Sequence, residues 1–235
     1  MITVVVAAKD AEKWLDKTLK SLLCQTLKDW KCIVSINGSS DRTEEIAGST
    51  GDKRIRSITS DFPNKSCAVN RAITQAETEL VCILDADDLW TPEKLEKQVA
   101  SMNSLSVDIL GTQMTYINES GDEQGVAPKL PTTHEGCVSW LTQKNNPIAN
   151  SSVMYRRQIH EVIGYYDPEK FAVEDYDMWM RAMRRGLKMG NCSETMLMHR
   201  IHMSSNYNST NKQRILKQLV DATNDFYSQQ RSELA

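Results

Sequence analysis

Short apolar runs alternate with stretches of helical periodicity over the first half of the chain. Residues 2–8 form a continuous, mostly β-branched run, which is typical of a strand buried on both faces of a parallel sheet. Leu15, Leu19 and Leu22 then follow at the spacing of one helix face. The same pattern predicts further strands at 30–36, 54–58 and 80–84, each followed by a helix. Alternating strands and helices indicate a parallel sheet joined by right-handed crossovers.

Polar residues mark the turns that follow these strands. Asp10 is predicted to cap the first helix, and Asp41 with Glu44 resembles a capping box for the second. In open α/β sheets, ligands bind outside the carboxyl ends of the strands. The polar turns at those ends therefore indicate where a ligand would bind.

The regular alternation ends after a long apolar segment at 107–117. We therefore predict a single domain of the α/β class. Residues 1–105 would form a Rossmann-like, mostly parallel sheet flanked by helices, and residues 106–205 a smaller mixed subregion. An apolar stripe in the last segment predicts a C-terminal helix over 206–235.

The composition narrows the classes of function. The 235 residues fit one elaborated domain, and the formal net charge of -3 gives no bulk attraction to nucleic acid or to an anionic membrane. No apolar run reaches the roughly 20 residues that cross a bilayer, so a cytoplasmic protein is expected. The six cysteines are scattered without metal-binding spacing, which favours reduced thiols at apolar positions.

An acidic run, Asp85-Ala86-Asp87-Asp88, directly follows the predicted strand at 80–84. Crowded carboxylates repel one another, and Mg²⁺ or Mn²⁺ removes that repulsion while bridging to substrate phosphates. An ordinary acidic turn is the alternative. A phosphatase of the haloacid-dehalogenase type also has such a run, but normally after the first strand of its domain.

Two later clusters add candidate chemistry. Glu174 and Asp175 open a helical pattern, where acids favour the helix dipole, but one of them could equally serve as a general base. Arg200 and His202 lie in a polar segment near residue 200. Beside the acidic run, His202 becomes a candidate metal ligand and Arg200 a candidate diphosphate contact.

Together these residues resemble the family 2 inverting glycosyltransferases of the GT-A fold, from Ile2 to about Ser205. The matching segments, in the family's order, are Cys24-Gln25-Thr26, Leu84-Asp85-Ala86-Asp87-Asp88-Leu89-Trp90, Asn146-Pro147-Ile148, Ser151 to Arg156, Gly164 to Asp167 and Glu174 to Trp179. Several ordered matches are much more specific than one.

The resemblance implies a role for each candidate residue. Asp87 would be the direct ligand of Mn²⁺ or Mg²⁺, with Asp88 and His202 as further metal candidates. Asp175 would be the catalytic base, and Glu174 would help to position the donor sugar or the acceptor. The implied contacts with the nucleotide-diphosphate sugar come from Lys65, Asn70, Asp85, Ala86 and Arg200.

The sequence departs from the family at the positions that hold the nucleotide base. The usual first-strand motif is replaced by Ala7-Ala8-Lys9-Asp10, and Asn37 stands where an Asp is usual. An Asn side chain both donates and accepts hydrogen bonds, whereas an ionised Asp only accepts. The choice among UDP, GDP, dTDP and CMP donors therefore stays open.

Three functions remain open from sequence. A glycosyltransferase in surface glycan or polysaccharide synthesis is favoured, with a glycan or glycolipid acceptor. A catalytically silent module that binds nucleotide sugars or glycans is the second, and a sugar nucleotidyltransferase is the third. The last class usually has a Gly-rich loop after its first strand, and residues 7–13 contain no glycine. The C-terminal stripe also suggests a homodimer or, at lower rank, contact with the inner membrane surface.

Overall fold

The computed structural model describes residues 1–125 and 127–203, so the helix predicted over 206–235 lies outside the described residues. The strands described are β1 (Ile2–Ala8), β2 (Trp30–Asn37), β3 (Ile55–Ser60), β4 (Leu80–Ile83), β5 (Leu89–Trp90), β6 (Ile109–Ile117), β7 (Met154–Arg156) and β8 (Met189–Arg200). The helices are α1 (Leu15–Leu23), α2 (Thr43–Gly48), α3 (Lys65–Thr74), α4 (Lys94–Leu105), α5 (His134–Thr142), α6 (Ile159–Ile163) and α7 (Glu174–Arg184), and a 3₁₀ turn covers Asn150–Ser152.

All eight of these strands form one sheet, in the order β3-β2-β1-β4-β7-β6-β8-β5. Strands β3, β2, β1 and β4 run parallel to one another, as the alternating pattern predicts. On the other side, β7 runs antiparallel to both β4 and β6, β6 and β8 are parallel, and β5 is antiparallel to β8. The predicted α/β class, with a mixed second half, is confirmed.

The two faces of the sheet are covered by different helices. One apolar cluster packs residues of α1, α2 and α4 on one face, and the other packs residues of α3, α5, α6 and α7 on the opposite face. Leu15, Leu19 and Leu22 of α1 are almost completely buried, which explains their helical spacing. No helix within residues 1–125 and 127–203 combines the length and apolar composition that crossing a membrane requires.

The two predicted helix caps are wrong. Asp10 has a left-handed backbone (φ 46°) and accepts hydrogen bonds from the backbone N and hydroxyl of Ser40, while α1 begins at Leu15. Asp41 accepts from the backbone N atoms of Glu12 and Thr43 instead of forming a capping box. Both aspartates therefore join the turns after β1 and β2 to each other. Sequence spacing could not show this, because Ser40 is distant along the chain from Asp10, and Glu12 is distant from Asp41.

Candidate active site

The acidic run forms a tight loop between β4 and β5, which we call the acid loop (Asp85–Asp88). The hydroxyl of Thr18, on α1, lies 2.9 Å from the carbonyl oxygens of both Ala86 and Asp88. β5 pairs with the end of β8, with Leu89 opposite Met198. This pairing carries residues 199–202 to the acid loop, so residues far apart in sequence meet at one edge of the sheet.

Asp88 is completely buried, and both of its carboxylate oxygens have partners within the protein. Oδ1 accepts from the backbone N of Arg200 at 2.8 Å, and Oδ2 lies 3.1 Å from Nδ1 of His199. Burial by itself would raise the pKa of Asp88, but His199 and the hydrogen bonds hold it below its ordinary value. The Asp88 carboxylate in turn raises the pKa of His199 to about 9. The charge of Asp88 is thus engaged in holding the loop, and its role as a second metal ligand stays a prediction.

Asp87 is a partly exposed member of the loop, and a divalent cation could bind beside it. Its Oδ2 lies 2.7 Å from Nε2 of His202, and the His202 ring stacks on Trp14 with 4.1 Å between ring centroids. Within residues 1–125 and 127–203, no group of three or more His, Cys, Asp or Glu side chains is arranged to hold a metal ion. Mg²⁺-type cations commonly take only one or two protein ligands and complete their shell with phosphate oxygens and water. The Asp87 carboxylate fits that pattern, and the His202 imidazole beside it is a second candidate ligand.

Arg200 is buried beneath this pair, with 1% of its surface exposed. Its Nε donates to the carbonyl of Asp87 at 2.7 Å, and Nη1 donates to the carbonyls of Asn118 and Glu119. The guanidinium therefore ties the acid loop to the turn after β6. These carbonyls already occupy Nε and Nη1 of Arg200. The predicted contact of Arg200 with a diphosphate therefore stays a prediction.

Asp175 lies at the start of α7, next to Glu174. One of its oxygens accepts from Nδ2 of Asn146 and the other from the backbone N of Tyr176, both at 2.7 Å. Burial and the neighbouring Glu174 carboxylate raise the pKa of Asp175 to about 7, although Asn146, Tyr176 and Lys65 act in the opposite direction. A carboxylate with a pKa near neutrality can exchange a proton under physiological conditions, as a general base must.

Lys65 connects the two acidic clusters. Its Nζ lies 2.9 Å from Oδ1 of Asp85 and 3.8 Å from Oε1 of Glu174. Burial alone would lower the pKa of Lys65, but these two carboxylates raise it above its ordinary value. One ammonium group therefore brings the acid loop and the start of α7 into a single site, as the sequence-based assignment of roles requires.

The predicted nucleotide contacts lie along the neighbouring strand ends. Ala7 and Ala8 end β1 with little exposure, Lys9 is exposed beyond them, and Asn37 ends β2 with 4% of its surface exposed. Asn70, on α3, donates from Nδ2 to the carbonyl of Tyr166 and accepts at Oδ1 from the Tyr166 backbone N. The side chain of Asn70 thus holds the 164–166 turn, and its contact with a nucleotide stays a prediction.

Four side chains that organise this site had no role assigned from sequence: Thr18, Asn146, Ser151 and His199. Thr18, Ser151 and His199 contact the acid loop, and Asn146 contacts Asp175. The available signal was a polar residue within an apolar pattern, such as Thr18 on the buried stripe of α1. Such a hydroxyl more often forms a hydrogen bond with a nearby backbone group than with a loop that is distant in sequence. The pattern alone could therefore not identify its partner.

Comparison with known proteins identifies relatives of the whole arrangement. Residues 3–164 match the family described as glycosyl transferase family 2. The chain is 28% identical to the O-antigen biosynthesis glycosyltransferase WbnJ of Escherichia coli, over 89% of this chain and 83% of WbnJ. It is 26% identical to WfgD of E. coli, named as a UDP-Glc:alpha-D-GlcNAc-diphosphoundecaprenol beta-1,3-glucosyltransferase, over 96% of this chain and 86% of WfgD.

Solved structures share the fold. The structure of S. aureus TarS residues 1–349 in complex with UDP-GlcNAc superposes with a TM-score of 0.76 at 19% sequence identity. The match covers 92% of this chain and 64% of that TarS chain, so this chain spans slightly less than two thirds of the fragment. At this level of sequence identity, the superposition shows that the two chains share a fold.

Proposed function

The chain belongs to glycosyl transferase family 2, and we propose that it transfers a sugar from a nucleotide-diphosphate sugar to a hydroxyl group of a surface glycan or glycolipid. The observation that carries this proposal is the ion pairing of Lys65 with Asp85 and Glu174, which joins the acid loop to the helix start that contains the candidate base. Relatives named for O-antigen synthesis and for transfer to a diphosphoundecaprenol acceptor support the acceptor class. UDP-sugars are the first donors to test, since UDP-Glc appears in the name of WfgD.

The chemistry would be a single displacement with inversion at the anomeric carbon. Asp87 and His202 would hold Mn²⁺ or Mg²⁺, and the bound cation would supply positive charge next to the leaving diphosphate. Asp175 would accept the proton of the attacking hydroxyl, while Asn146 and the backbone N of Tyr176 fix its two oxygens. Lys65 and Glu174 would orient the donor sugar between these groups.

The protonation state of Asp175 fits this role. Its pKa of about 7 leaves a large fraction of the carboxylate ionised near neutral pH, and the same value gives it appreciable basicity. Asp88 is the other candidate carboxylate, but it is fully buried and its pKa is lowered. Of the two, Asp175 is therefore the better proton acceptor. We also propose that the acceptor is presented at a membrane surface, as the lipid diphosphate in the name of WfgD suggests.

The proposed donor can be identified by thermal shift. UDP, GDP, dTDP and CMP, with their common sugar conjugates, are each added to the chain with Mn²⁺ or with EDTA. A ligand that binds only the folded state raises its melting temperature, so we expect a metal-dependent rise with one nucleotide class. The Asp87→Ala variant should lose the metal dependence of that rise. If no nucleotide raises the melting temperature of the wild-type chain, the proposed function is contradicted. Binding without transfer to any hydroxyl acceptor would favour a silent binding module.

A further inference from the structure

The 3₁₀ turn at Asn150–Ser152 packs against the acid loop from the second half of the sheet. Its middle residue, Ser151, is 3% exposed. The Ser151 hydroxyl oxygen accepts from the backbone N of Asp85 at 3.0 Å, and the Ser151 carbonyl accepts from Nε1 of Trp90 at 2.8 Å. Ser151 therefore contacts the chain on both sides of Asp87.

The same hydroxyl also acts on Asp88. Hydrogen bonding from Ser151 is one of the interactions that hold the pKa of Asp88 below its ordinary value against the effect of burial. A serine hydroxyl can accept one hydrogen bond while donating another, so the Asp85 and Asp88 contacts are compatible. Residues 85 and 90 are thus held by one residue that lies more than sixty positions away in sequence.

We propose that Ser151 is a positioning residue, whose hydroxyl fixes the acid loop so that the Asp87 carboxylate faces a bound cation and the donor diphosphate. The inference rests on the proposed function. Ser151 itself need not contact substrate, because its hydroxyl accepts from the Asp85 backbone N and its carbonyl accepts from Nε1 of Trp90. Loss of the hydroxyl would release the Asp85 backbone N and allow Asp87 to adopt other orientations, at a cost to metal-dependent nucleotide binding.

The adjacent residue, Ser152, provides a matched control. It is also fully buried, and its hydroxyl donates to the carbonyl of Ala149 at 2.8 Å and accepts from the backbone N of Thr112 at 3.1 Å. Ser152→Ala therefore removes a buried hydroxyl from the same turn without touching the acid loop. Any effect common to Ser151→Ala and Ser152→Ala reports the stability of the turn, and only the difference between them reports positioning.

Two measurements test the proposal. The first is hydrogen–deuterium exchange of peptides that cover residues 84–90, without ligand. We expect Ser151→Ala to increase exchange there by about tenfold and Ser152→Ala to leave it close to wild type, because only the former removes a hydrogen-bond acceptor from this segment. The second is calorimetric titration with the nucleotide selected by thermal shift, with Mn²⁺ and with EDTA. We expect the Mn²⁺-dependent Kd to rise about tenfold for Ser151→Ala alone, the scale of one well-formed hydrogen bond.

The outcomes separate this inference from the proposed function. If Ser151→Ala leaves exchange over residues 84–90 unchanged, or raises the Kd no more than Ser152→Ala does, Ser151 is not a positioning residue. A Kd that rises equally with Mn²⁺ and with EDTA would also overturn the inference, because the loss would not pass through the cation. A wild-type chain that binds no nucleotide contradicts the proposed function instead, and the exchange measurement still decides whether Ser151 holds the loop.

Discussion

The acid loop and the start of α7 each contain a candidate aspartate, Asp88 fully buried and Asp175 half-buried, and their surroundings shift its pKa in opposite directions. Asp88 accepts from Arg200 and pairs with His199, and its pKa lies below the ordinary value despite burial. Asp175 also has two hydrogen-bond donors, but it is next to Glu174, and burial with this second negative charge raises its pKa to about 7. The nearest charged side chains have opposite signs: His199 favours the ionised form of Asp88, and Glu174 favours the protonated form of Asp175.

The largest expected effect is on catalysis at Asp175. Asp175→Asn keeps the shape of the side chain but removes the proton acceptor, so transfer to the acceptor should fall by about 10²–10⁴-fold while nucleotide affinity changes little. Asp177→Asn is the matched control, because Asp177 lies in the same helical turn and pairs with Arg181. Steady-state rates with the identified donor measure both. Full turnover in Asp175→Asn would show that another group takes the proton.

Within the acid loop, replacing an aspartate with asparagine should have different consequences at Asp87 and at Asp88. Asp88→Asn places an amide donor among the donors of His199 and Arg200, so we expect the free energy of unfolding to fall by about 2 kcal/mol, the scale of a hydrogen bond to a charged group. Asp87→Asn should lower it by less than about 1 kcal/mol, because Asp87 is partly exposed. It should instead remove the Mn²⁺ dependence of nucleotide binding.

Urea unfolding and nucleotide titration of the two variants decide between these roles. If Asp88→Asn removes the metal dependence without loss of stability, Asp88 is the principal ligand and the assignment of the two residues is reversed. The contrast is informative because both variants lose one negative charge from the same loop. A general electrostatic effect would therefore act on both alike.

The parallel half of the fold and the identity of the acidic clusters could be predicted from sequence, whereas the supports of the site could not. A strand such as β1 can be predicted from its continuous apolar run. The strands β5 and β7 have only two and three residues, which are too few to show any periodicity. Crowded acids are visible in sequence because they are adjacent. Their partners Ser151, His199 and Asn146 come from segments that the short strands and connecting turns bring together, and no local pattern encodes those contacts.

The smallest expected effect, and the finest test of the comparison, is a shift in the pH dependence of transfer. Glu174 raises the pKa of Asp175 together with burial, and Asn146, Tyr176 and Lys65 lower it. Asn146→Ala removes one lowering interaction, so the pKa should rise further. Because only the ionised form accepts a proton, the acid limb of the kcat/KM profile should move to higher pH by about one unit, as expected for loss of one charge-assisted hydrogen bond. Well above that limb, the variant should approach the wild-type rate, since Asp175 is ionised in both.

Asn145→Ala, an exposed neighbour, is the control and should leave the limb in place. A limb that stays fixed in Asn146→Ala would mean that the limb does not report Asp175. A uniform fall at every pH would mean that Asn146 orients the base without tuning its pKa.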